Sequence, residues 1–327
     1  MKKDDTSLLK YYRAGKAAGY ILLFLLILAL FVFRHPDLSL EQKENSRRIG
    51  ASYMTMNNEF FKIINEQIRD RVEAEGDMMY LRDPALNAER QREQIENLLD
   101  MGITALILNP VDPDGLDEVL QRARKQGVYV VVVDSAVNND LIQCTIMSDN
   151  YDAGCLDAEY MLKTQRSGEI VVMTHERTDS AKQRVRGFLD TISGNSAFTV
   201  KGMVECEGQF EIALPEMRKY IEEGNEFDTV FCLNDPAAEG VVAALQEKGL
   251  AGKVNVYGVD ASPDAKALIN AGQMKASAVQ FPTKLGETAA DVLYRMIGGE
   301  EVDETIIVPV DIVTQDNIWK YDNERWQ

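Results

Sequence analysis

After residue 48 the chain alternates short Val/Ile-rich runs with amphipathic stretches of roughly 12–18 residues, a pattern that few folds accommodate. The runs are IGASYMT, MMYL, ALILNP, YVVVVDS, CTIMSD, EIVVMTH, VKGMVEC, TVFCLND, VNVYGVDA, KASAVQ and TIIVPVDIV. Between them lie helical stretches such as NEFFKIINEQIRDRVEAEG and DPAAEGVVAALQEKGL; in the latter Ala237, Val241, Ala244 and Leu245 fall on one helical face. Strands alternating with helices define βαβ units and parallel sheets covered by helices. The runs are nearly continuous in apolar residues, as strands buried on both faces should be. Eleven strands are too many for one open sheet, so the expectation is an α/β fold with two doubly wound parallel-sheet lobes.

Several of the runs stop at a polar residue: Asn109, Asp134, Asp149, Asn234 and Asp260. In open α/β sheets the ligand crevice lies outside the carboxyl ends of the strands, so such groups converge on one place. Helix capping is the competing explanation, because Asn and Asp are favoured N-caps and Asp235-Pro236 or Ser262-Pro263 suit a helix start.

The length of 327 residues fits about two domains of ~150. Net charge is −18, which argues against a nucleic-acid partner, since a phosphate backbone requires a basic footprint. The charge is unevenly placed. Residues 1–35 hold six Lys/Arg and two Asp, whereas the remainder holds 29 basic and 51 acidic residues. Residues 17–33, AAGYILLFLLILALFVF, are 17 residues without a charge, near the short end of a bilayer span. Lys2, Lys3, Lys10, Arg13 and Lys16 precede them. The positive-inside rule puts residues 1–16 in the cytoplasm and the body outside the cell. A cleaved signal peptide is the alternative, but the run is long for one and FVFRHPDLS lacks a small-x-small site. An uncleaved transmembrane anchor at 17–33 and a polar linker at 34–47 are therefore expected. Cys144, Cys155, Cys206 and Cys232 match no zinc spacing and read as buried free thiols.

From Ile49 to Thr314 the chain resembles the sugar-binding proteins of ABC importers, the ribose-binding type, and hence the type 1 periplasmic binding fold. The resemblance rests on NNEFF after the first strand, ILNP followed by DPDG, VVVDS, SDNYDAG, DSAKQRVRGF, VFCLNDPAAEGVVAALQEKG, VYGVDASPD and QMKASAVQFPTKLG, in family order and spacing. It implies one binding domain over 48–314 whose chain crosses three times between lobes. Lobe one comprises about 48–147 plus 281–309, and lobe two about 148–280 plus 310–327, with 315–327 a tail packed on lobe two. It also implies a pocket. Asn58, Phe60 and Phe61 would supply a polar contact and aromatic walls. Asn109 and Asp134 would stand at the ends of first-lobe strands, and Arg184 would grip sugar hydroxyls. Phe210 would be the opposing aromatic wall, and Asn234, Asp260 and Gln280 complete the set. Ser135 departs from the pattern, which has an Arg there, and so disfavours ribose itself.

The chemistry agrees with the residue types. A sugar ring offers an apolar C–H face to aromatic rings and a rim of hydroxyls to Asp, Asn, Gln and Arg, whose charge-assisted bonds are about twice as strong as neutral ones. The expected function is a tethered extracellular receptor that traps a monosaccharide or polyol and delivers it to an ABC permease, or else presents its closed form to a membrane sensor kinase. No cofactor or metal is expected. The competing class is a nucleotide-dependent enzyme on Rossmann-like sheets. Against it, the chain lacks G-x-G-x-x-G after its first strand, G-x-x-x-x-G-K-[ST] and G-x-S-x-G. Its histidines, His35 and His175, offer no obvious base; His175, at a strand end near the cleft, is either a ligand contact or, as the plainer reading, a loop residue.

Overall fold

The computed structural model describes Phe24 and residues 46–327. The expected transmembrane anchor at 17–33 and nearly all of the linker lie outside the described residues, apart from Phe24, Ser46 and Arg47. Among the described residues no helix is long and apolar enough to cross a membrane.

The first sheet contains β1 (Arg48–Ser52), β2 (Met78–Arg82), β3 (Ala105–Leu108), β4 (Tyr129–Val133), β5 (Cys144–Ser148) and β11 (Thr305–Val308). Its order is β11-β5-β4-β3-β1-β2, parallel throughout. The second contains β6 (Gly168–Thr174), β7 (Phe198–Glu205), β8 (Thr229–Cys232), β9 (Asn255–Asp260), β10 (Ala276–Val279) and β12 (Asp311–Thr314). Its order is β12-β10-β9-β8-β6-β7, with only β12 antiparallel. The run TIIVPVDIV, counted above as one of eleven strands, is two strands in different sheets. Pro309 separates them, as a residue without an N–H must interrupt a ladder.

Helices cover both faces of each sheet. In the first lobe α1 (Glu59–Ala74) and α9 (Pro282–Ile297) share one core with β1 and β3–β5, while α2 (Ala88–Asp100) and α3 (Asp117–Lys125) cover the other face. In the second lobe α4 (Asn150–Thr164) and α5 (Asp179–Ile192) lie on one face. On the other are α6 (Phe210–Glu222), α7 (Asp235–Glu247) and α8 (Pro263–Asn270). The chain leaves the first sheet after β5, returns through α9 to β11, and crosses again to β12, so three segments connect the lobes.

Helices α4 and α5 touch backbone to backbone. A Cβ on Gly154 would lie 1.9 Å from the Arg184 carbonyl oxygen, and one on Gly187 would lie 2.0 Å from that of Tyr151. No side chain fits there, and the crossing sets where α5, and hence Arg184, stands. The four cysteines are free thiols, three buried and Cys155 half-buried. Burial pushes the Cys206 thiol up to about 12, which keeps it protonated and unreactive.

Candidate ligand-binding site

The carboxyl ends of both sheets face a common cavity. Arg184, from the second turn of α5, lies at its centre and is 4% exposed. Its Nε donates to Asn150 Oδ1 at 2.8 Å and its Nη1 to the Leu233 carbonyl at 3.0 Å. That anchoring aims the rest of the guanidinium between two acids. Nη2 is 3.8 Å from Asp134 of lobe one, and Nη1 is 3.8 Å from Asp260 of lobe two. A buried cation flanked by two buried anions holds its geometry only if each is hydrogen-bonded elsewhere. Asp134 accepts from Asn109 Nδ2 at 3.3 Å, and Asp260 accepts from Gln280 Nε2 at 2.6 Å. Gln280 Oε1 has no hydrogen-bond partner although the residue is only 1% exposed. It is an acceptor inside the cavity wall that calls for a donor.

The loop backbones are strained where they present these groups. Asp134 (φ 68°), Asp260 (φ 131°), Ala261 (φ 54°) and Glu207 (φ 50°) all lie in the region that favours glycine. Asp235, fully buried behind Asp260, holds one of these turns. Its carboxylate accepts from Ser277 Oγ and from the Ser262 amide, each at 2.7 Å. Strained non-glycine backbone concentrated at one cavity marks a functional site rather than a folding requirement.

Of the residues expected at the site, Asn58, Phe60, Phe61, Asp134, Arg184, Asn234, Asp260 and Gln280 line this cavity. Two do not. Asn109 is fully buried behind Asp134, where Oδ1 accepts from the Met54 amide at 3.1 Å and Nδ2 donates to the Val133 carbonyl at 3.1 Å. It is a positioning residue without access to a ligand. Phe210 is 38% exposed and lines an adjoining outer cavity, because it begins α6 rather than ending a strand. The capping explanation also holds at two positions: Asn58 Oδ1 accepts from the Phe60 amide, and Asn234 Oδ1 from the Ala237 amide. Both residues cap a helix and face the cavity.

The residues not anticipated include Met54, Ser180, Glu207 and Gln209; His175, in the loop that follows β6, is also a wall of the cavity. Burial lowers the pKa of His175, so its ring is neutral at pH 7 and offers one donor and one acceptor. Ser135, where the family pattern has an Arg, accepts from the Ser180 amide at 3.3 Å and so spans from lobe one to lobe two. Its hydroxyl thus joins the lobes at the N-terminus of α5.

Burial raises the pKa of both acids, opposed by the Arg184 charge. Asp260 is pushed up to about 6. Because its folded value exceeds 3.8, the unfolded chain loses this proton first as pH rises. The stability it contributes is present near pH 4 and is lost as pH rises through about 6. Asp260→Asn should therefore flatten the fall in urea midpoint between pH 4 and 7 relative to wild type. If both proteins have the same slope, Asp260 does not titrate in that window.

The enclosed space is about 40 Å³, against ~150 Å³ for a cavity that holds a benzene ring. A ring-sized ligand enters only when the lobes part, and the three connecting segments provide the hinge. Two lobes that close over a polar cavity define a clamp for a solute. The chain belongs to the periplasmic binding protein family: the family described as Periplasmic binding protein domain matches residues 49–301. Its architecture is the type 1 fold of that family, and its members are solute-binding proteins, not enzymes. Among curated relatives, a putative rhizopine-binding protein of Rhizobium meliloti is 25% identical over 291 residues, 86% of this chain and 94% of that protein. The ribose import binding protein of Bacillus subtilis is 25% identical over 267 residues, 82% and 87% of the two chains. Among solved structures, an ABC transporter solute binding protein from Bacillus halodurans with bound myo-inositol superposes with a TM-score of 0.80 at 22% identity, covering 86% of this chain and 99% of that one. One from Agrobacterium vitis with bound D-fucose gives 0.78 at 27% identity, covering 83% and 96%.

Proposed function

We propose that the chain is a membrane-tethered extracellular solute-binding protein that closes on a monosaccharide or related polyol and passes it to an ABC sugar importer. The observation that carries this reading is the Asp134–Arg184–Asp260 array, which draws on both lobes and has the unpartnered Gln280 Oε1 beside it. Carboxylates, a guanidinium and an amide acceptor match adjacent hydroxyls, while Phe60 and Phe61, edge to face at 5.5 Å, supply apolar wall. Micromolar binding is worth about 8 kcal/mol, and the share made only in the closed state biases the lobes shut. The relatives named for ribose import, and the solute-binding structures holding myo-inositol and D-fucose, support the ligand class. The basic residues ahead of the apolar run at 17–33 support the tether and its orientation.

The full chain in detergent should gain thermal stability with one or a few members of a panel of pentoses, hexoses and inositols. The gain is about 2.7 kcal/mol at a hundredfold excess over Kd. A flat response across the panel sinks the sugar assignment. For topology, protease added to intact cells should release the binding domain, and full protection would reverse the proposed orientation.

A further inference from the structure

Outside the inner cavity lies a larger one of about 310 Å³, continuous with it through Asn58, Gly208 and Gln209, which line both. Its walls come from both lobes. The start of α1 supplies Glu59, α6 supplies Phe210 and Glu211, and α7 and α8 supply Glu239 and Asp264. The last wall is Trp326, whose ring centroid is 5.8 Å from that of Phe60.

The tail is held in place at some energetic cost. Lys266 of α8 is 0% exposed, and its ammonium donates to the main-chain carbonyls of Asp322 and Arg325. A buried ammonium is costly unless its protons are satisfied, so these carbonyls tie the tail to lobe two. From that anchor Trp326 reaches the aromatic cluster of lobe one. The tail therefore completes the outer cavity and joins the lobes across it.

We infer that this outer cavity is a second subsite, which takes the second unit of a disaccharide or glycoside whose first unit occupies the inner cavity. The inference rests on the sugar-binding reading above. The volume is twice the ~150 Å³ that holds a benzene ring, so a pyranose or aryl group fits. Phe210 and Trp326 offer rings to its apolar face. The four carboxylates, Glu59, Glu211, Glu239 and Asp264, accept from hydroxyls or amines, and the lining contains no Lys or Arg. The second unit is thus neutral or cationic; a uronic acid or phosphate meets a lining of net negative charge, although Lys62 pairs with Glu59 at 2.9 Å and burial raises the pKa of Glu239 to about 7.

The test is calorimetric titration of the full chain with D-glucose, D-galactose and D-xylose, with cellobiose, lactose and xylobiose, and with phenyl β-D-glucoside and phenyl β-D-glucuronide. At least one disaccharide or the glucoside should bind tenfold or more tightly than its parent monosaccharide, and the glucuronide should show no such gain. Trp326→Ala and Phe210→Ala should each lower the glycoside's affinity at least tenfold more than the monosaccharide's, and Trp326→Phe should retain most of the gain. If monosaccharides bind and no glycoside binds more tightly, or the gain survives both alanine substitutions, the second subsite is overturned while the sugar reading stands. If no probe binds, both fall.

Discussion

Arg184→Met should cost about 3–5 kcal/mol of stability at pH 7 and abolish the thermal response to ligand. The guanidinium is the only cation among the residues lining the inner cavity, and it stands 3.8 Å from both Asp134 and Asp260. Methionine fills much the same volume but leaves two buried carboxylates facing one another, with only Asn109 and Gln280 as side-chain donors. It also strips the donor from Asn150 Oδ1 and from the Leu233 carbonyl. These two losses differ in their pH dependence. Arg184 opposes the rise of both acid pKa values, so its removal lets both rise further. The acids then protonate at higher pH, and the charge part of the deficit disappears as pH falls. Urea midpoints of wild type and variant should therefore be far apart at pH 7 and approach each other near pH 4.5. An equal gap at both pH values would mean that the lost hydrogen bonds, not the unpaired charges, dominate.

What was legible in the sequence depended on how local the governing physics is. The alternation of apolar runs with amphipathic stretches reports burial on both faces of a parallel sheet, and eleven runs led to two sheets. Their last member counts as one run but forms two strands, because Pro309 parts two four-residue strands that join different sheets. The polar strand ends located the cavity, since the geometry of an open sheet brings them together whatever the loops do. Inner and outer positions were not separable in the same way. Asn109 and Asp134 follow similar strands, yet Asn109 turns inward to bind the Met54 amide and the Val133 carbonyl, a choice made by residues 55 and 24 positions away. Phe210 missed the inner cavity because the start of α6 is placed by the packing of α6 on α7 within lobe two. Ser180 reaches the cavity beside a contact with lobe one that no window of sequence contains, whereas His175 directly follows β6 and belongs with the polar strand ends. Ser135 is instructive: the pattern marked it only as a missing charge, whereas its hydroxyl meets the amide of Ser180 from the other lobe.

Gly154→Ala should be the most damaging change among the conservative ones, for a reason that links the fold to the site. Within a helix Ala is favoured over Gly by about 1 kcal/mol, so propensity alone predicts stabilisation. Sterics oppose it: the new Cβ would lie 1.9 Å from the Arg184 carbonyl oxygen and 2.8 Å from the Phe188 nitrogen. Both atoms are backbone, with no flexible end to give way, and Gly187 makes the reciprocal approach to Tyr151. Helices α4 and α5 must separate, and overpacking of a core costs about 1–3 kcal/mol, more where relaxation is blocked. The net expectation is a loss of about 2 kcal/mol or more in a urea titration. The displaced helix carries Arg184, so the ligand-induced thermal shift should shrink with it, even though Gly154 lines no part of the cavity. Gly115→Ala is the matched control, because its nearest neighbour atom is 3.8 Å away and its backbone needs no positive φ; it should stay within about 0.5 kcal/mol of wild type. If Gly154→Ala proves neutral or stabilising, the α4–α5 crossing yields more readily than its backbone contacts imply. A variant that loses stability but keeps the full ligand response would show that Arg184 holds its place independently of that crossing, through Asn150 and the Leu233 carbonyl alone.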